Sequence, residues 1–142
     1  MRRIVVGVDG SGGADAAVEW AMTHANPEDE IVLLHTWHTV VSGGVDIGYA
    51  YLDDMEQAAR ALVEQLAGKY SVAGGPKVTG VAEHGHAGSR LIDAASDADL
   101  LVVGRRGHGG FAGLLLGSVS TYVVHHATCP VVVVTDPEHG GR

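Results

Sequence analysis

The chain has 142 residues, about the length of one domain, and 46% of them are hydrophobic, which excludes a disordered segment. Its net charge of −8 argues against binding to nucleic acid or to an anionic membrane surface, because both require a basic face. The single cysteine cannot form an internal disulfide, and no apolar run approaches the roughly 18 residues of a membrane span. We therefore expect one cytoplasmic domain that binds neither nucleic acid nor membrane.

Short apolar runs alternate with segments in which apolar residues recur at steps of three and four. The runs predict buried strands, and the recurring pattern predicts helices. In chain order, the predicted elements are a strand at 4–8, a helix at 14–25, a strand at 31–37, a helix at 51–69, a strand at 78–83, a short helix at 91–95, a strand at 100–103, a helix at 118–127 and a strand at 131–134. This alternation predicts a single doubly wound α/β domain, with a five-stranded, mainly parallel sheet and helices on both faces. The domain is expected to span 1–136, before a polar tail at 137–142.

Several local features refine this outline. Ser11 and Ser118 are the predicted N-caps of the first and fourth helices, because a serine hydroxyl can accept a hydrogen bond from the first helical turn. Gly80 interrupts the third strand and weakens its prediction. The stretch 39–50 contains three glycines and is expected to be a mobile surface loop.

A glycine-rich segment follows the fourth strand, where ligands of such sheets bind, beyond the carboxyl ends of the strands. It reads Gly104-Arg105-Arg106-Gly107, then nine residues, then Gly117-Ser118. Glycines let backbone N–H groups approach an anion closely, and the first turn of a helix carries unpaired N–H groups with partial positive charge. The segment is therefore predicted to bind phosphate.

This Gly-x-x-Gly, nine residues, Gly-Ser pattern resembles the nucleotide loop of the universal stress protein family, in its ATP-binding branch. Further segments resemble the family in the same order: Val8-Asp9-Gly10-Ser11, Leu33-Leu34-His35, 99–104 and Ala127-Thr128-Cys129-Pro130. The resemblance covers the whole chain, and the glycine loop is its specific part. It implies the fold of the adenine-nucleotide alpha hydrolases.

The resemblance also implies ATP as the ligand, with Mg²⁺ held mainly by the phosphates. Asp9 is expected to anchor the ribose or adenine side, the backbone of Thr36 to meet the adenine edge, and Val103 to pack near the base. The serine hydroxyls and the Val119 amide at the start of the fourth helix would bind phosphate oxygens. The complete implied set is Val8, Asp9, Thr36, Val103, Gly104, Arg105, Arg106, Gly107, Gly117, Ser118, Val119 and Ser120.

The last predicted strand, 131–134, consists of four valines. At a sheet edge, its open backbone groups would invite pairing with the same strand of a second copy. The resemblance implies the same homodimer. We therefore expect a nucleotide-responsive homodimer with a regulatory role in stress.

Other chemistry is less well supported. The two lysines, Lys69 and Lys77, lie outside any Gly-x-x-x-x-Gly-Lys loop, and 107–112 lacks the acidic residue that a dinucleotide site needs about 20 positions later. The neighbouring His125 and His126 would point about 100° apart on a helix, so they are not expected to share a metal ion. His35, in a buried strand, is expected to be a hydrogen-bonded core histidine.

No group of residues has the spacing of a known catalytic site. Three alternatives stay open beside ATP-responsive regulation. They are a slow ATPase or phosphotransferase, a protein that binds cyclic AMP, and an interaction module without nucleotide.

Overall fold

A computed structural model describes residues 1–9, 12–38, 49–105 and 116–135. Within these ranges the elements are β1 (Arg3–Gly7), α1 (Gly12–His24), β2 (Glu30–Trp37), α2 (Tyr49–Tyr70), β3 (Lys77–His84), α3 (Ala87–Ala95), β4 (Leu100–Gly104), α4 (Ser118–His126) and β5 (Val131–Val134). The strands form one sheet in the order β3-β2-β1-β4-β5, and every neighbouring pair is parallel. The predicted α/β fold is confirmed.

Alternate residues of each strand face opposite sides of the sheet, and each side has its own apolar core. On one side, Ile4 and Val6 of β1 pack in a cluster with Val18 of α1 and Val63 of α2. On the other side, Val5 of β1 packs in a cluster that also contains residues of α3 and α4, namely Leu91, Ala95 and Val123. Each fully buried valine or leucine contributes about 1.5–3 kcal/mol, so the helices are held on both faces by apolar burial.

The strand order reverses between β1 and β4. From β1 the chain adds β2 and then β3 on one side, and it then crosses to add β4 and β5 on the other. The connections that leave β1 and β4 therefore diverge, which opens a crevice at the carboxyl ends of these two strands. Val6↔Val102 is the last register pair of β1 and β4 before this end.

Gly80 lies where α2 passes close to β3. A Cβ atom at this position would lie 2.5 Å from the carbonyl oxygen of Val63, which is too close for any side chain. The glycine therefore permits close packing of helix on strand, and β3 continues through it for eight residues.

The structure corrects two predictions at helix starts. The N-cap of α4 is Gly117, with extended backbone (φ −77°, ψ 178°), and Ser118 is the first helical residue. The predicted loop at 39–50 is also too long, because α2 already begins at Tyr49. The rest of that loop, the predicted cap Ser11 and the tail 137–142 lie outside the described residues. Among the described helices, none combines the length and the apolar character that a membrane crossing requires.

Candidate functional site

The end of β1 is fixed by hydrogen bonds to β2. The Val8 N–H donates to the carbonyl of Leu34, and the ring Nδ1 of His35 donates to the carbonyl of Val8, both at 2.9 Å. The Val8 side chain is buried in the core on the α1 face. Both backbone polar groups of Val8 are therefore engaged, and the residue serves to place Asp9, which is half-buried at the rim of the crevice.

His35 is hydrogen-bonded, as expected, although it is half-buried rather than part of the core. The carbonyl partner requires a proton on Nδ1, because a carbonyl oxygen only accepts. The amino-acid sequence alone does not show that this histidine holds the carbonyl of the residue before Asp9. Only the parallel register, which pairs Gly7 with Leu34, brings the ring to the Val8 carbonyl.

The end of β4 is joined to the start of α4 at Arg105. The carbonyl oxygen of Arg105 accepts from the Gly117 N–H at 2.8 Å and from the Ser120 hydroxyl at 2.6 Å. The Arg105 N–H donates to the carbonyl of Val134 in β5, at 2.8 Å. Arg105, Gly117 and Ser120 thus form a hydrogen-bonded neck that joins the end of β4 to the start of α4.

The first turn of α4 presents backbone donors directly after this neck. The first intrahelical bond of the turn runs from Thr121 N–H to the Gly117 carbonyl at 3.0 Å, so the helix supplies no acceptor to the amides of Ser118, Val119 and Ser120. The cap residue Gly117 has no side chain to bond them, and the turn contains no acidic residue. These amides and the positive end of the helix dipole are suited to an anion such as phosphate.

The Ser120 side chain does not point to an open anion site in this structure. It is 2% exposed, and its single proton is shared between the carbonyls of Arg105 and Gly117, at 2.6 and 3.1 Å. Its predicted hydroxyl contact with phosphate would require the loss of these bonds. The Ser118 side chain, in contrast, is exposed.

The base side of the site would lie near β2 and β4. Thr36 is half-buried on the part of β2 that extends beyond its last pairing with β1 and stays paired with β3. The Val103 side chain is 3% exposed and packs in the core on the α3 and α4 face, so it offers little surface to a base. Trp37, next to Thr36, packs edge-on against His84, with ring centroids 4.6 Å apart.

The structure brings ten of the twelve predicted site residues to the carboxyl edge of the sheet or to the start of α4. They are Val8, Asp9, Thr36, Val103, Gly104, Arg105, Gly117, Ser118, Val119 and Ser120. The remaining two, Arg106 and Gly107, lie outside the described residues.

In the part of the chain that the structure describes, no group of three or more histidine, cysteine or acidic side chains is placed to hold a metal. His86 instead caps α3, where its Nδ1 accepts from the Ser89 N–H at 3.1 Å. His126 contacts the carbonyl of its own helix at Tyr122.

Burial raises the pKa of the half-buried Cys129 thiol, which keeps it protonated at neutral pH.

The chain matches the model of the universal stress protein family over residues 1–135. The chain belongs to the universal stress protein family. It is 37% identical over 92% of its length to a universal stress protein of Mycolicibacterium smegmatis, and 35% identical over 94% to one of Mycobacterium tuberculosis. In both cases the match covers 45% of the relative, so the chain spans about half the length of these curated relatives.

Solved structures of universal stress proteins share the fold. The chain aligns with UspA of Lactobacillus plantarum at a TM-score of 0.77 and 24% identity, covering 94% of this chain and 97% of that one. An Arabidopsis thaliana family member with AMP bound aligns at 0.68 and 22% identity, covering 95% and 92%. A universal stress protein in complex with cAMP aligns at 0.68 and 24%, covering 95% and 97%. At these identities the likeness establishes the α/β architecture.

Proposed function

We propose that this universal stress protein binds ATP at the carboxyl edge of its sheet and responds to it as a homodimeric regulatory protein of the cytoplasm. The observation that carries the proposal is the first turn of α4, at the end of β4, where three consecutive amides have no acceptor within the helix. Triphosphate oxygens would accept from these amides and from the exposed Ser118 hydroxyl.

The nucleoside would extend from the phosphates toward β1 and β2. The Asp9 carboxylate would accept from a ribose or adenine donor, and the backbone of Thr36 would meet the adenine edge. Gly104 and Gly107 would let the backbone approach the ribose and phosphates, beside Arg105 or Arg106. Two relatives of the same fold hold adenine nucleotides, which supports an adenine ligand here.

Mg²⁺ would be held mainly by the phosphates, where it would neutralise part of their charge. Magnesium commonly keeps several waters and binds through substrate phosphates with only one or two carboxylates. The first turn of α4 fits this arrangement, because it supplies backbone donors and contains no acidic side chain of its own.

The proposed dimer would form through β5, which is an edge strand of the sheet. Its four valines are all half-buried, so the strand retains apolar surface on both faces. Pairing with β5 of a second copy would satisfy its open backbone groups and cover these valines. We assign this domain to residues 1–136, followed by the tail 137–142.

The first test is to denature freshly purified protein and identify released nucleotide by chromatography. Titration calorimetry with ATP and Mg²⁺ would then measure the affinity, with cyclic AMP as competitor. ATP in the supernatant and saturable ATP binding are expected. Binding of cyclic AMP alone would favour that alternative, and no nucleotide by either method would favour an interaction module. Product formation above that of a Gly117→Asp variant would indicate a slow ATPase.

A further inference from the structure

We propose that Ser120 is a positioning residue. Its hydroxyl stabilises the neck by hydrogen bonding and thereby orients the first-turn amides of α4 toward phosphate. The proposal rests on the ATP-binding function above and assigns Ser120 a different role from that of a direct phosphate ligand. The hydroxyl would act through Arg105 and Gly117, which it contacts, rather than through the nucleotide.

The proton of the Ser120 hydroxyl is already donated within the protein. A serine hydroxyl has one proton to donate, and here it lies 2.6 Å from the carbonyl oxygen of Arg105. The side chain is 2% exposed, and an unbonded hydroxyl at such a depth is costly. The hydroxyl therefore has a complete set of donor contacts without any ligand.

The carbonyl oxygen of Arg105 accepts two hydrogen bonds. One comes from Ser120 and the other from the Gly117 N–H, the residue that caps α4. A carbonyl oxygen has two lone pairs, so these two donors satisfy it fully. The hydroxyl thereby fixes both the direction of the chain that leaves β4 and the start of the helix whose amides would bind phosphate.

The neck is also hydrogen-bonded to the edge strand β5. The Arg105 N–H donates to the Val134 carbonyl, and this bond closes the pairing of β4 with β5 at the register pair Gly104↔Val134. Arg105 is thus bonded on one side to β5 and on the other to α4. Loss of the Ser120 hydroxyl would loosen the helix start relative to the sheet, although the apolar core beneath α4 would be unchanged.

The test compares Ser120→Ala with Ser71→Ala. The Ser71 hydroxyl also donates to a backbone carbonyl at 2.6 Å, that of Ala67 near the end of α2, so the control removes a bond of equal length away from the neck. Amide hydrogen exchange is measured first, without nucleotide. We expect exchange of the Gly117 amide to accelerate about tenfold in Ser120→Ala and to be unchanged in Ser71→Ala. Unchanged exchange in Ser120→Ala would overturn the proposal.

The second measurement compares the affinities for ATP and for adenosine. Because the neck would position phosphate donors, Ser120→Ala should weaken ATP binding about tenfold and leave adenosine binding unchanged. An equal loss for both ligands would indicate general loosening and would contradict a positioning role. If Ser120→Ala fails to fold, Ser120→Cys keeps the volume with a weaker donor, and acceleration at Gly117 is again expected. If the wild type binds no ATP, the proposed function fails, and the exchange result still decides whether Ser120 holds the neck.

Discussion

The two ends of the sheet differ in whether carboxylates of the protein accept hydrogen bonds from the nearby backbone N–H groups. At the amino end, the buried Asp29 carboxylate accepts from the N–H groups of Arg2 and Asn26, both at 2.8 Å, and from the Arg2 guanidinium at 3.0 Å. At the same end, Asp99 accepts from the Arg3 N–H at 2.8 Å. At the carboxyl end, the cap of α4 is a glycine, and no acidic side chain lies in its first turn.

This difference indicates that the amino end of the sheet contributes to stability, whereas the carboxyl end carries the proposed ligand site. Carboxylates at the amino end accept from backbone and guanidinium donors of the protein, so that end contributes to stability. Burial by itself raises the pKa of Asp29, but the backbone N–H groups of Asn26 and Arg2, followed by the Arg2 guanidinium, outweigh it and lower the pKa below 3.8. A carboxylate at the start of α4 would occupy the donors that an anionic ligand needs.

The largest expected effect comes from placing such a carboxylate at the start of α4, in Gly117→Asp. The extended backbone of Gly117 suits aspartate, a favoured N-cap, so its carboxylate would bond the first-turn amides. A carboxylate about 4 Å from a phosphate is repelled by about 4 kcal/mol at an effective dielectric constant near 20. We therefore expect ATP affinity, measured by calorimetry, to fall more than about 100-fold while circular dichroism shows the fold retained.

Gly117→Asn is the matched control, because its amide has the same shape without the charge. It should lower ATP affinity by about tenfold or less. If the aspartate and asparagine variants weaken ATP equally, charge at this helix end does not govern binding. If neither changes the affinity, the assignment of the phosphate site to α4 is wrong.

The second-largest effect is expected on stability, when a carboxylate at the amino end of the sheet is removed in Asp29→Ala. Two backbone N–H groups would lose their acceptor, so we expect the free energy of unfolding to fall by about 2–3 kcal/mol. Asp97→Ala is the control, because its side chain is 74% exposed and its ion pair with Arg3 is 3.6 Å long, for which a loss of about 0.5 kcal/mol or less is expected. Urea denaturation measures both. ATP affinity should stay unchanged in both variants, and a large loss of affinity in Asp29→Ala would contradict the division between the two ends.

The pH dependence of stability tests the same carboxylate. The pKa of Asp29 is lowered in the folded state, so its stabilising contribution is fully present above the unfolded value of 3.8 and is lost as pH falls through the folded value. The difference in unfolding free energy between the wild type and Asp29→Asn should therefore be largest near neutral pH and shrink below about pH 4. Urea denaturation along a pH series measures it. A constant difference down to about pH 2 would mean that ionisation of Asp29 does not stabilise the fold.

The sheet could be predicted from the sequence because its signals are local. Uninterrupted runs such as 31–34 and 131–134 are typical of strands covered on both faces, and the structure has strands there. The position of the candidate site, at the carboxyl ends of the strands, can be predicted from the parallel topology alone. The family also follows from the sequence, because the glycine segment and the strands around it keep their order along the whole chain.

The polar contacts that arrange each end could not be predicted in the same way. Asp29 meets Arg2, and Ser120 meets Arg105, only after the chain has folded, because these partners are 27 and 15 positions apart. A serine three positions after a glycine fits a surface position as well as a buried one. Side-chain preference favours Ser118 as the N-cap, but in the structure the N-cap is Gly117, one residue earlier, where its N–H donates to the Arg105 carbonyl.

The smallest expected effect comes from removing the exposed serine at the start of α4, in Ser118→Ala. Its hydroxyl is the one side-chain donor that α4 would offer to phosphate, beside three backbone amides that the substitution leaves in place. We expect ATP affinity to fall about fivefold, which is roughly 1 kcal/mol. Ser96→Ala is the control at the opposite end of the sheet, where the hydroxyl donates to the Asp93 carbonyl at 2.8 Å and ATP affinity should not change. A loss in Ser118→Ala as large as that in Gly117→Asp would mean that the hydroxyl, rather than the backbone of the helix start, dominates phosphate recognition.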